Sequence, residues 1–266
     1  MIIEPKIRGF ICTTAHPTGC ATNVQRQIDH VVVKGPIASP RQRVLVLGCS
    51  TGYGLASRIV TTFGSQADTV GVSFERPPAE GKTASAGWYN NRAFENRARA
   101  AGRTTITIEG DAFSDAVKAE AIAAIKANLG QVDLVVYSVA SPVRTDPTDG
   151  VTYRSAIKPY GAQVTSKTLN TATGEVSEIT VEPATEEEAA ATVKVMGGED
   201  WERWIAALSE AGVLADGFQS LNYTYLGSEL TWPIYHNGTL GRAKADLDRA
   251  AAAIRAAHGA HAAHVV

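Results

Sequence analysis

The chain has 266 residues and a formal net charge of −2, with 44% hydrophobic and 20% charged residues, a composition that fits a globular protein. Because the charge is nearly balanced, we expect neither nucleic acid nor an anionic membrane surface as a partner. We also expect a cytoplasmic protein without a metal site, since the apolar runs are too short to cross a bilayer, the N-terminus is unlike a signal peptide and the three cysteines lack zinc-type spacing.

The first half of the sequence alternates between short apolar runs and helical stretches. In chain order we predict a strand-like piece at 7–13, a helix at 23–33, strands at 43–48, 69–74, 104–108 and 133–137, and helices at 53–62, 91–101 and 114–129. Short apolar runs of this kind are typical of parallel strands buried on both faces. The alternation predicts an α/β fold of the Rossmann type, a doubly wound parallel sheet with helices on both faces.

The pattern changes after the strand at 133–137. Residues 142–184 are rich in threonine, proline and glycine, and 171–174 is typical of a hairpin turn. The later predicted elements are helices at 186–195, 200–211 and 239–257, a strand at 221–226 and the start of another at 261–266. Since nothing in the sequence resembles an inter-domain linker, we predict a single domain over 1–266, with 142–198 as an inserted hairpin-plus-helix region.

A glycine-rich turn joins the strand at 43–48 to the helix that follows. Its sequence is Gly48-Cys49-Ser50-Thr51-Gly52-Tyr53-Gly54. Glycines let a backbone approach a pyrophosphate closely, and a helix N-terminus offers N–H groups and a positive dipole end to phosphates. The GxxxGxG spacing is that of short-chain dehydrogenases. We therefore predict a dinucleotide site here, with a tight turn that binds nothing as the alternative interpretation.

Glu75 lies 27 residues after Gly48, at the end of the next predicted strand. A carboxylate in this place hydrogen-bonds the adenosine ribose and repels a 2′-phosphate. The sequence therefore predicts NADH rather than NADPH as the cofactor. Two alternatives stay open: the neighbouring Arg76 could accept the phosphate, and Glu75 could be a solvated charge at a strand end.

Two further pairs of residues follow the next predicted strands. Asp111 and Ala112 come after the strand at 104–108, where a carboxylate commonly contacts the adenine amino group. Val139 and Ala140 come after the strand at 133–137, where the backbone passes the second ribose. Each signal is weak alone, but ligands of open α/β sheets bind at such strand ends. We predict that both pairs contact the dinucleotide.

Tyr235 and Lys244 are the candidate catalytic residues, and they are nine positions apart. On one continuous helix that offset would place them on opposite faces, about 13.5 Å apart along the axis. They can converge only if a helix starts between them, and Asn237-Gly238 is a plausible start. The alternatives are a packed aromatic at Tyr235 and an ion pair of Lys244 with Asp248 one turn on.

When a nicotinamide cofactor donates a hydride to a substrate, negative charge commonly develops on a substrate oxygen. A tyrosine hydroxyl can hydrogen-bond that oxygen and supply a proton, and a nearby ammonium would stabilise the phenolate and bind the nicotinamide ribose. Tyr225, placed at the end of the predicted strand at 221–226, is a second candidate for the substrate oxygen.

Motifs along nearly the whole chain resemble those of the type V reductases of trans-2-enoyl-CoA and enoyl-acyl carrier protein (ACP), the FabV and TER enzymes. They include Lys6-Ile-Arg-Gly-Phe-Ile-Cys-Thr-Thr14, His16-Pro17, the turn at 48–54, Ala86-Gly-Trp-Tyr-Asn90, Gly110-Asp-Ala-Phe-Ser-Asp115 and residues 136–144, 195–201 and 232–244. The eight-residue gap between Tyr235 and Lys244 is a hallmark of this family, whereas ordinary short-chain dehydrogenases have a three-residue gap.

The resemblance implies roles for individual residues. It implies that Tyr235 is the proton donor, that Lys244 contacts NADH and that Tyr225 touches the substrate. It also implies NADH contacts from residues 48–53, Phe74-Glu75, Asp111-Ala112 and Val139-Ala140. The implied protein is a monomeric enzyme of fatty-acid synthesis or a related reductive pathway, with an acyl-CoA or acyl-ACP thioester as substrate.

The sequence departs from the family pattern in two ways. Cys49 and Val139 are conservative changes from the usual alanine and leucine. Family members are about 400 residues long by the same resemblance, so we expect this chain to be a C-terminally truncated form. One alternative function is therefore a catalytically inactive Rossmann domain that only binds NADH. Another is a ketoacyl or alcohol reductase, against which the tyrosine–lysine offset argues.

Overall fold

The computed structural model describes residues 2–9, 11–38, 41–225 and 227–266. The strands are β1 (Ile7–Arg8), β2 (Ile11–Cys12), β3 (Arg43–Leu47), β4 (Asp68–Ser73), β5 (Thr105–Glu109), β6 (Val132–Tyr137), β7 (Val143–Thr145), β8 (Thr152–Arg154), β9 (Val164–Leu169), β10 (Val176–Val181), β11 (Leu214–Asn222) and β12 (Ala263–Val265). The α-helices are α1 (Pro17–Lys34), α2 (Gly52–Gly64), α3 (Ala86–Ala100), α4 (Asp115–Asn128), α5 (Glu186–Met196), α6 (Glu199–Glu210) and α7 (Thr239–His258), and Glu229–Thr231 forms a short 3₁₀ helix.

The chain divides into two compact units. The first comprises Met1–Val139, Trp204–Tyr223 and Gly259–His264, and the second comprises Ala140–Arg203, Thr224–His258 and Val265–Val266. The sequence prediction of one domain with an insertion at 142–198 stays a prediction. Among the described residues, every helix is too short or too polar to span a lipid bilayer.

In the described part of the chain, six strands form one sheet in the order β12-β11-β6-β3-β4-β5. The pairs of β3 with β4, β3 with β6, β4 with β5 and β6 with β11 are all parallel. The chain moves outward from β3 to β5 and then returns to β6 on the other side of β3. This reversal is the topological switch point of a doubly wound sheet, and it confirms the predicted Rossmann-type fold.

The strand sequences explain why the sheet forms the core. Val44, Leu45, Val46 and Leu47 of β3 are all fully buried, as expected for a central parallel strand covered on both faces. Helices α1, α2 and α3 share one hydrophobic cluster that includes Leu55, Ile59 and Phe94 (the α1 members are Val24 and Ile28). Because right-handed crossovers in opposite directions cover opposite faces, the helix α4 between β5 and β6 lies on the other face.

Arg58 of α2 is fully buried and joins the helix to the sheet. Its guanidinium donates to the hydroxyls of Thr69, Thr105 and Thr107 at 2.9–3.1 Å, and it lies 4.6 Å from the centre of the Phe94 ring. Burial lowers the pKa of Arg58, because the charged form loses its hydration. The threonine hydroxyls replace that water, so the residue fastens β4 and β5 to α2.

In the second unit, α5 packs on α7 and on the β7–β8 hairpin. Asp146 is fully buried and forms ion pairs with Lys194 and Arg144. Burial by itself raises the pKa of Asp146, but the hydrogen bonds from Lys194 and Thr148 outweigh it and hold this pKa well below its usual value. The predicted hairpin around 171–174 is confirmed as the turn between the antiparallel strands β9 and β10.

Several predicted boundaries differ from the structure. The strand predicted at 221–226 does lie in the central sheet, but its bounds are wrong: β11 spans Leu214–Asn222, and Leu226 lies outside the described residues. Asp216 and Gly217 hide the strand in the sequence, because the register shifts between Leu214 and Gln219 and Gly217 has a φ of +66°. Tyr225 is therefore not at a strand end.

The N-terminal elements are also longer or more divided than predicted. Helix α1 begins at Pro17 rather than at residue 23, with His16 as its N-cap. Helix α3 begins at Ala86 rather than at residue 91. The prediction was late because Gly87, in the first turn of the helix, is a weak helix former. The strand-like piece at 7–13 is two short strands, β1 and β2, which pair with each other.

Candidate functional site

The glycine-rich turn lies at the switch point of the sheet, between the end of β3 and the start of α2. Gly48 has a φ of +81°, and a Cβ atom there would lie 2.0 Å from the carbonyl oxygen of Ser138, just after β6. A Cβ atom at Gly54 would lie 1.9 Å from the carbonyl oxygen of Gly48. Both neighbours are backbone atoms that cannot move aside, so only glycine fits at these two positions.

Gly52, the remaining glycine of the turn, differs from Gly48 and Gly54 because it faces open space. It has a φ of +54°, and a Cβ atom there would meet no atom within 4 Å among the described residues. Helix α2 begins at this residue, and the N-cap Thr51 makes no side-chain hydrogen bond to the helix in the part of the chain that the structure describes. The backbone is therefore accessible where a helix offers its N–H groups, which fits a pyrophosphate.

Glu75 lies just after β4 and is half-buried beside this turn. Ser50 of the turn donates its hydroxyl to Glu75 Oε1 at 2.6 Å, and the Ser85 hydroxyl donates to Glu75 Oε2. Each carboxylate oxygen can accept more than one hydrogen bond. The two serines therefore orient the carboxylate and leave it able to accept ribose hydroxyls.

Helix α3 approaches the same carboxylate with its N-terminus. Ser85 is the N-cap of α3, and a Cβ atom at Gly87 would lie 2.0 Å from Glu75 Oε1. A helix N-terminus stabilises a carboxylate charge. Ser85 and Gly87 were not among the predicted site residues, because the predicted start of α3, at residue 91, is five residues too late. The Ser-Ala-Gly sequence at 85–87 is a capping signal that could have located them.

Phe74 lies between β4 and Glu75, with 81% of its side chain exposed. An exposed phenylalanine ring beside a half-buried carboxylate offers an apolar surface to a flat ligand. The NADH contacts expected of Phe74 and Glu75 stay a prediction.

The loop after β5 holds Asp111 and Ala112 in a defined conformation. Asp111 Oδ1 accepts the backbone N–H of Phe113 at 2.9 Å. The carbonyl oxygen of Ala112 accepts hydrogen bonds from Lys118 Nζ and from the indole N–H of Trp204, both at 3.0 Å. Lys118 and Trp204 thus help to hold this loop in place, and neither residue was among the predicted site residues.

Val139 and Ala140 follow β6. The preceding residue, Ser138, donates its backbone N–H to the carbonyl oxygen of Leu47 at 2.8 Å, which ties this strand end to β3. Val139 is partly buried and belongs to the first unit, whereas Ala140 is exposed and belongs to the second.

A separate group of candidate residues lies in the second unit. Lys244 donates from Nζ to the hydroxyl of Thr224 at 2.7 Å, and in the described part of the chain it forms no ion pair with Asp248. Burial lowers the pKa of Lys244 from its ordinary value, because the ammonium loses part of its hydration. The alternative of a surface ion pair with Asp248 is therefore wrong.

Tyr235 lies before the helix that carries Lys244. Its backbone N–H donates to the carbonyl oxygen of Thr231 at 2.9 Å, and its own carbonyl oxygen accepts from Gly241 at 2.9 Å. Helix α7 begins at Thr239, so a helix does start between the two candidate residues, as their convergence requires.

Tyr225 contacts both of these residues. Its ring meets that of Tyr235 edge to face at a centroid distance of 5.9 Å, and Lys244 Nζ lies 5.8 Å from its centre. More than half of Tyr225 is exposed. A cavity of about 580 Å³ adjoins it, lined by Thr224, Tyr225, Gly227, Ser228, Lys244, Asp248, Val265 and Val266. Tyr225 therefore contacts both the Tyr235 ring and the Lys244 ammonium, and it presents an open aromatic surface beside the cavity.

The sheet order and the glycine turn at its switch point define a Rossmann-type protein of the dinucleotide-binding class. Comparison with known families narrows this class. Residues 2–80 match the NAD(P)H binding domain of trans-2-enoyl-CoA reductase, and residues 82–266 match the trans-2-enoyl-CoA reductase catalytic region. The chain belongs to the trans-2-enoyl-CoA reductase family.

Individual relatives agree with this assignment. An enoyl-acyl-carrier-protein reductase (NADH) of Idiomarina loihiensis is 60% identical over 251 residues, which are 94% of this chain and 64% of the relative. One named FabV from Aeromonas salmonicida is 59% identical over 96% of this chain and 64% of its own length. The crystal structure of Treponema denticola trans-2-enoyl-CoA reductase in complex with NAD matches with a TM-score of 0.95 and 48% identity, over 100% of this chain and 68% of that chain.

The chain thus spans 64% of the length of these two curated relatives.

Proposed function

We propose that this protein uses NADH to reduce the C2–C3 double bond of a trans-2-enoyl thioester to the saturated acyl thioester. The observation that carries the proposal is the cluster of Tyr235, Tyr225 and Lys244, in which a helix start separates the phenol from the ammonium. The relatives named as NADH-dependent enoyl-ACP reductases support this reaction. The carrier of the acyl group is CoA or ACP.

The first unit holds most of the residues that would bind the dinucleotide. Residues 48–53 bind the pyrophosphate through backbone N–H groups, and Asp111 with Ala112 contacts the adenine. Val139 and Ala140 contact the second ribose. NADH, when bound, supplies a hydride for the β-carbon of the substrate. The open backbone at Gly52 and the uncapped start of α2 in the described residues support this assignment.

Glu75 selects NADH over NADPH in this proposal, and Phe74 packs beside it. The carboxylate accepts the ribose hydroxyls and repels a 2′-phosphate. Two like charges about 4 Å apart cost on the order of 4 kcal/mol at an effective dielectric of about 20, and solvent reduces that figure. A tenfold preference needs only about 1.4 kcal/mol. The serine hydroxyls that orient Glu75 support the role.

The second unit supplies the residues for the substrate. Tyr235 hydrogen-bonds the thioester oxygen, where negative charge develops, and donates the proton that this oxygen or the enolate takes up. Lys244 contacts the nicotinamide ribose, and its ammonium stabilises the tyrosine as it loses its proton. Tyr225 touches the substrate with its exposed ring. The hydrogen bond from Lys244 Nζ to the hydroxyl of Thr224 holds the ammonium in place.

The biological setting follows from the reaction. We propose a cytoplasmic monomer that acts in fatty-acid synthesis or a related reductive pathway. An acyl-ACP or acyl-CoA thioester is its partner, without nucleic acid and without integral membrane contact.

The proposed reaction is tested by following NADH oxidation with crotonyl-CoA. Tyr235→Phe removes only the hydroxyl, so we expect activity to fall by about 10²–10⁴-fold, the range for loss of a general acid. Tyr153→Phe is the matched control, because it also removes one tyrosine hydroxyl, which here donates to Asp149 Oδ2 at 2.8 Å on the β7–β8 hairpin. Full activity in Tyr235→Phe would contradict the assignment. NADH binding without turnover by the unmodified protein would favour the binding-only alternative.

A further inference from the structure

A second carboxylate lies beside Glu75. Glu109 is the last residue of β5, and the strand register pairs it with Ser73 of β4. The hydroxyl of Ser73 donates to Glu109 Oε2 at 2.8 Å, and the backbone N–H of Glu75 donates to the same oxygen at 3.3 Å. Glu109 therefore binds the main chain of the residue that selects the cofactor.

Asn91 connects Glu109 to the glycine turn. This residue of α3 is fully buried, and its amide nitrogen donates to Ser73 Oγ at 2.9 Å and to Glu109 Oε1 at 3.5 Å. The thiol of Cys49 lies 3.7 Å from Asn91 Oδ1 on the other side. A chain of hydrogen bonds thus connects Cys49 of the turn, Asn91 and Glu109.

The charges at this edge of the sheet are also distinctive. Glu109 Oε2 lies 3.3 Å from the backbone nitrogen of Glu75, so both carboxylates belong to the same edge of the sheet. Glu109 is exposed, whereas Glu75 is half-buried. The Glu75 carboxylate accepts hydrogen bonds from Ser50 and Ser85, and the Glu109 carboxylate accepts them from Ser73 and Asn91.

We propose that Glu109 is a positioning residue for Glu75 and a second specificity-determining charge against the 2′-phosphate of NADPH. The proposal rests on the proposed dinucleotide site. The carboxylate of Glu109 accepts a hydrogen bond from the backbone of Glu75 and so holds it, and the negative charge of Glu109 adds to the repulsion that Glu75 exerts on the 2′-phosphate. The two roles are separable, because glutamine keeps the acceptor and removes the charge.

The test measures the dissociation constants of NADH and NADPH with the full chain, by fluorescence titration. In Glu109→Gln we expect NADPH to bind about tenfold more tightly and NADH to bind within about twofold of the unmodified protein. In Glu109→Ala we expect NADH also to bind about fivefold more weakly, since the Glu75 N–H loses its acceptor. Glu120→Gln, which removes an exposed charge from α4, is the matched control and leaves both constants unchanged.

The outcomes separate this inference from the proposed function. An unchanged ratio of the two dissociation constants in Glu109→Gln, with NADH still binding to the unmodified protein, overturns the charge role alone. Equal weakening of both cofactors in Glu109→Gln, together with a lower thermal midpoint, shows a merely structural role and also overturns it. If the unmodified protein binds neither cofactor, the proposed function fails first.

Discussion

The two groups of candidate residues are held in different ways. In the first unit, the glycine turn, Glu75 and the start of α3 are in close contact through backbone atoms and buried or half-buried hydrogen bonds. In the second unit, Tyr225, Tyr235 and Lys244 meet through ring contacts and one hydrogen bond to Thr224 beside an open cavity. The difference predicts that changes in the first group alter stability and cofactor binding, whereas changes in the second group alter turnover.

The largest effect on stability is expected at Gly54. In Gly54→Ala, the new methyl group would lie 1.9 Å from the carbonyl oxygen of Gly48, so the turn or the helix must move. We expect the free energy of unfolding to fall by about 3 kcal/mol or more and NADH binding to be lost. Denaturant unfolding and NADH titration measure the two effects.

The matched control for this change is Gly19→Ala in α1. A Cβ atom at Gly19 would make an ordinary contact, 3.5 Å from the Cβ of His16. Alanine also favours a helix by about 0.8–1 kcal/mol over glycine, so we expect no loss of stability. Equal stability of Gly54→Ala and Gly19→Ala would show that the turn is not held by the close backbone approach.

Lys244→Gln is expected to have a large effect on turnover and a small one on stability. The variant removes the ammonium that stabilises the phenolate, and kcat falls by about 10²-fold or more. Because Lys244 donates one hydrogen bond, to Thr224, the thermal midpoint should change little. Lys167→Gln on the exposed strand β9 is the control for loss of a lysine charge. A collapse of stability in Lys244→Gln would remove the contrast between the two groups.

Gly87→Ala gives a smaller effect, mainly on the cofactor. The added methyl group would lie 2.0 Å from Glu75 Oε1, which is the end of a side chain and can shift, and 2.8 Å from Ser50 Cβ in the glycine turn. We expect NADH to bind about tenfold more weakly, which corresponds to about 1.4 kcal/mol.

The Ser85→Ala variant, which removes one hydrogen bond to Glu75, should weaken NADH binding about three- to fivefold. Unchanged NADH affinity in both variants would mean that the orientation of Glu75 does not matter.

The smallest expected effect is the pH dependence of the free energy of unfolding that Lys244 causes. Burial lowers its pKa in the folded protein, so between this pKa and the ordinary value of about 10.4 the unfolded chain binds more protons. The free energy of unfolding should therefore rise slightly as the pH increases through that window. Lys244→Met should abolish this rise in denaturant unfolding at several pH values, and an identical pH profile in both proteins would contradict it.

Each strand of the fold could be predicted from the sequence only where its own residues carry a clear pattern. Strands β3, β4, β5 and β6 were predictable, because short runs rich in valine, leucine, isoleucine and threonine, such as Val44–Leu47 of β3, are typical of strands in a parallel sheet. Strand β11 was misplaced, because Asp216 and Gly217 break its apolar pattern at a shift of register.

The site shows the same division. The glycine turn and Glu75 were predictable from spacing, and the helix start between Tyr235 and Lys244 followed from Asn237-Gly238. The contacts of Ser85, Gly87 and Glu109 with Glu75 could not be predicted, because they join residues on different strands and helices. Only the register of β4 and β5 and the observed start of α3 bring these residues together.

The most direct test of the account follows the hydrogen that NADH donates. The protein is incubated with crotonyl-CoA and NADH deuterated at the transferable position, and the product is analysed by mass spectrometry. We predict butyryl-CoA that carries deuterium at C3. Recovery of unchanged crotonyl-CoA, or deuterium at C1 of a released aldehyde or alcohol, would contradict the reduction of the C2–C3 double bond of an enoyl thioester.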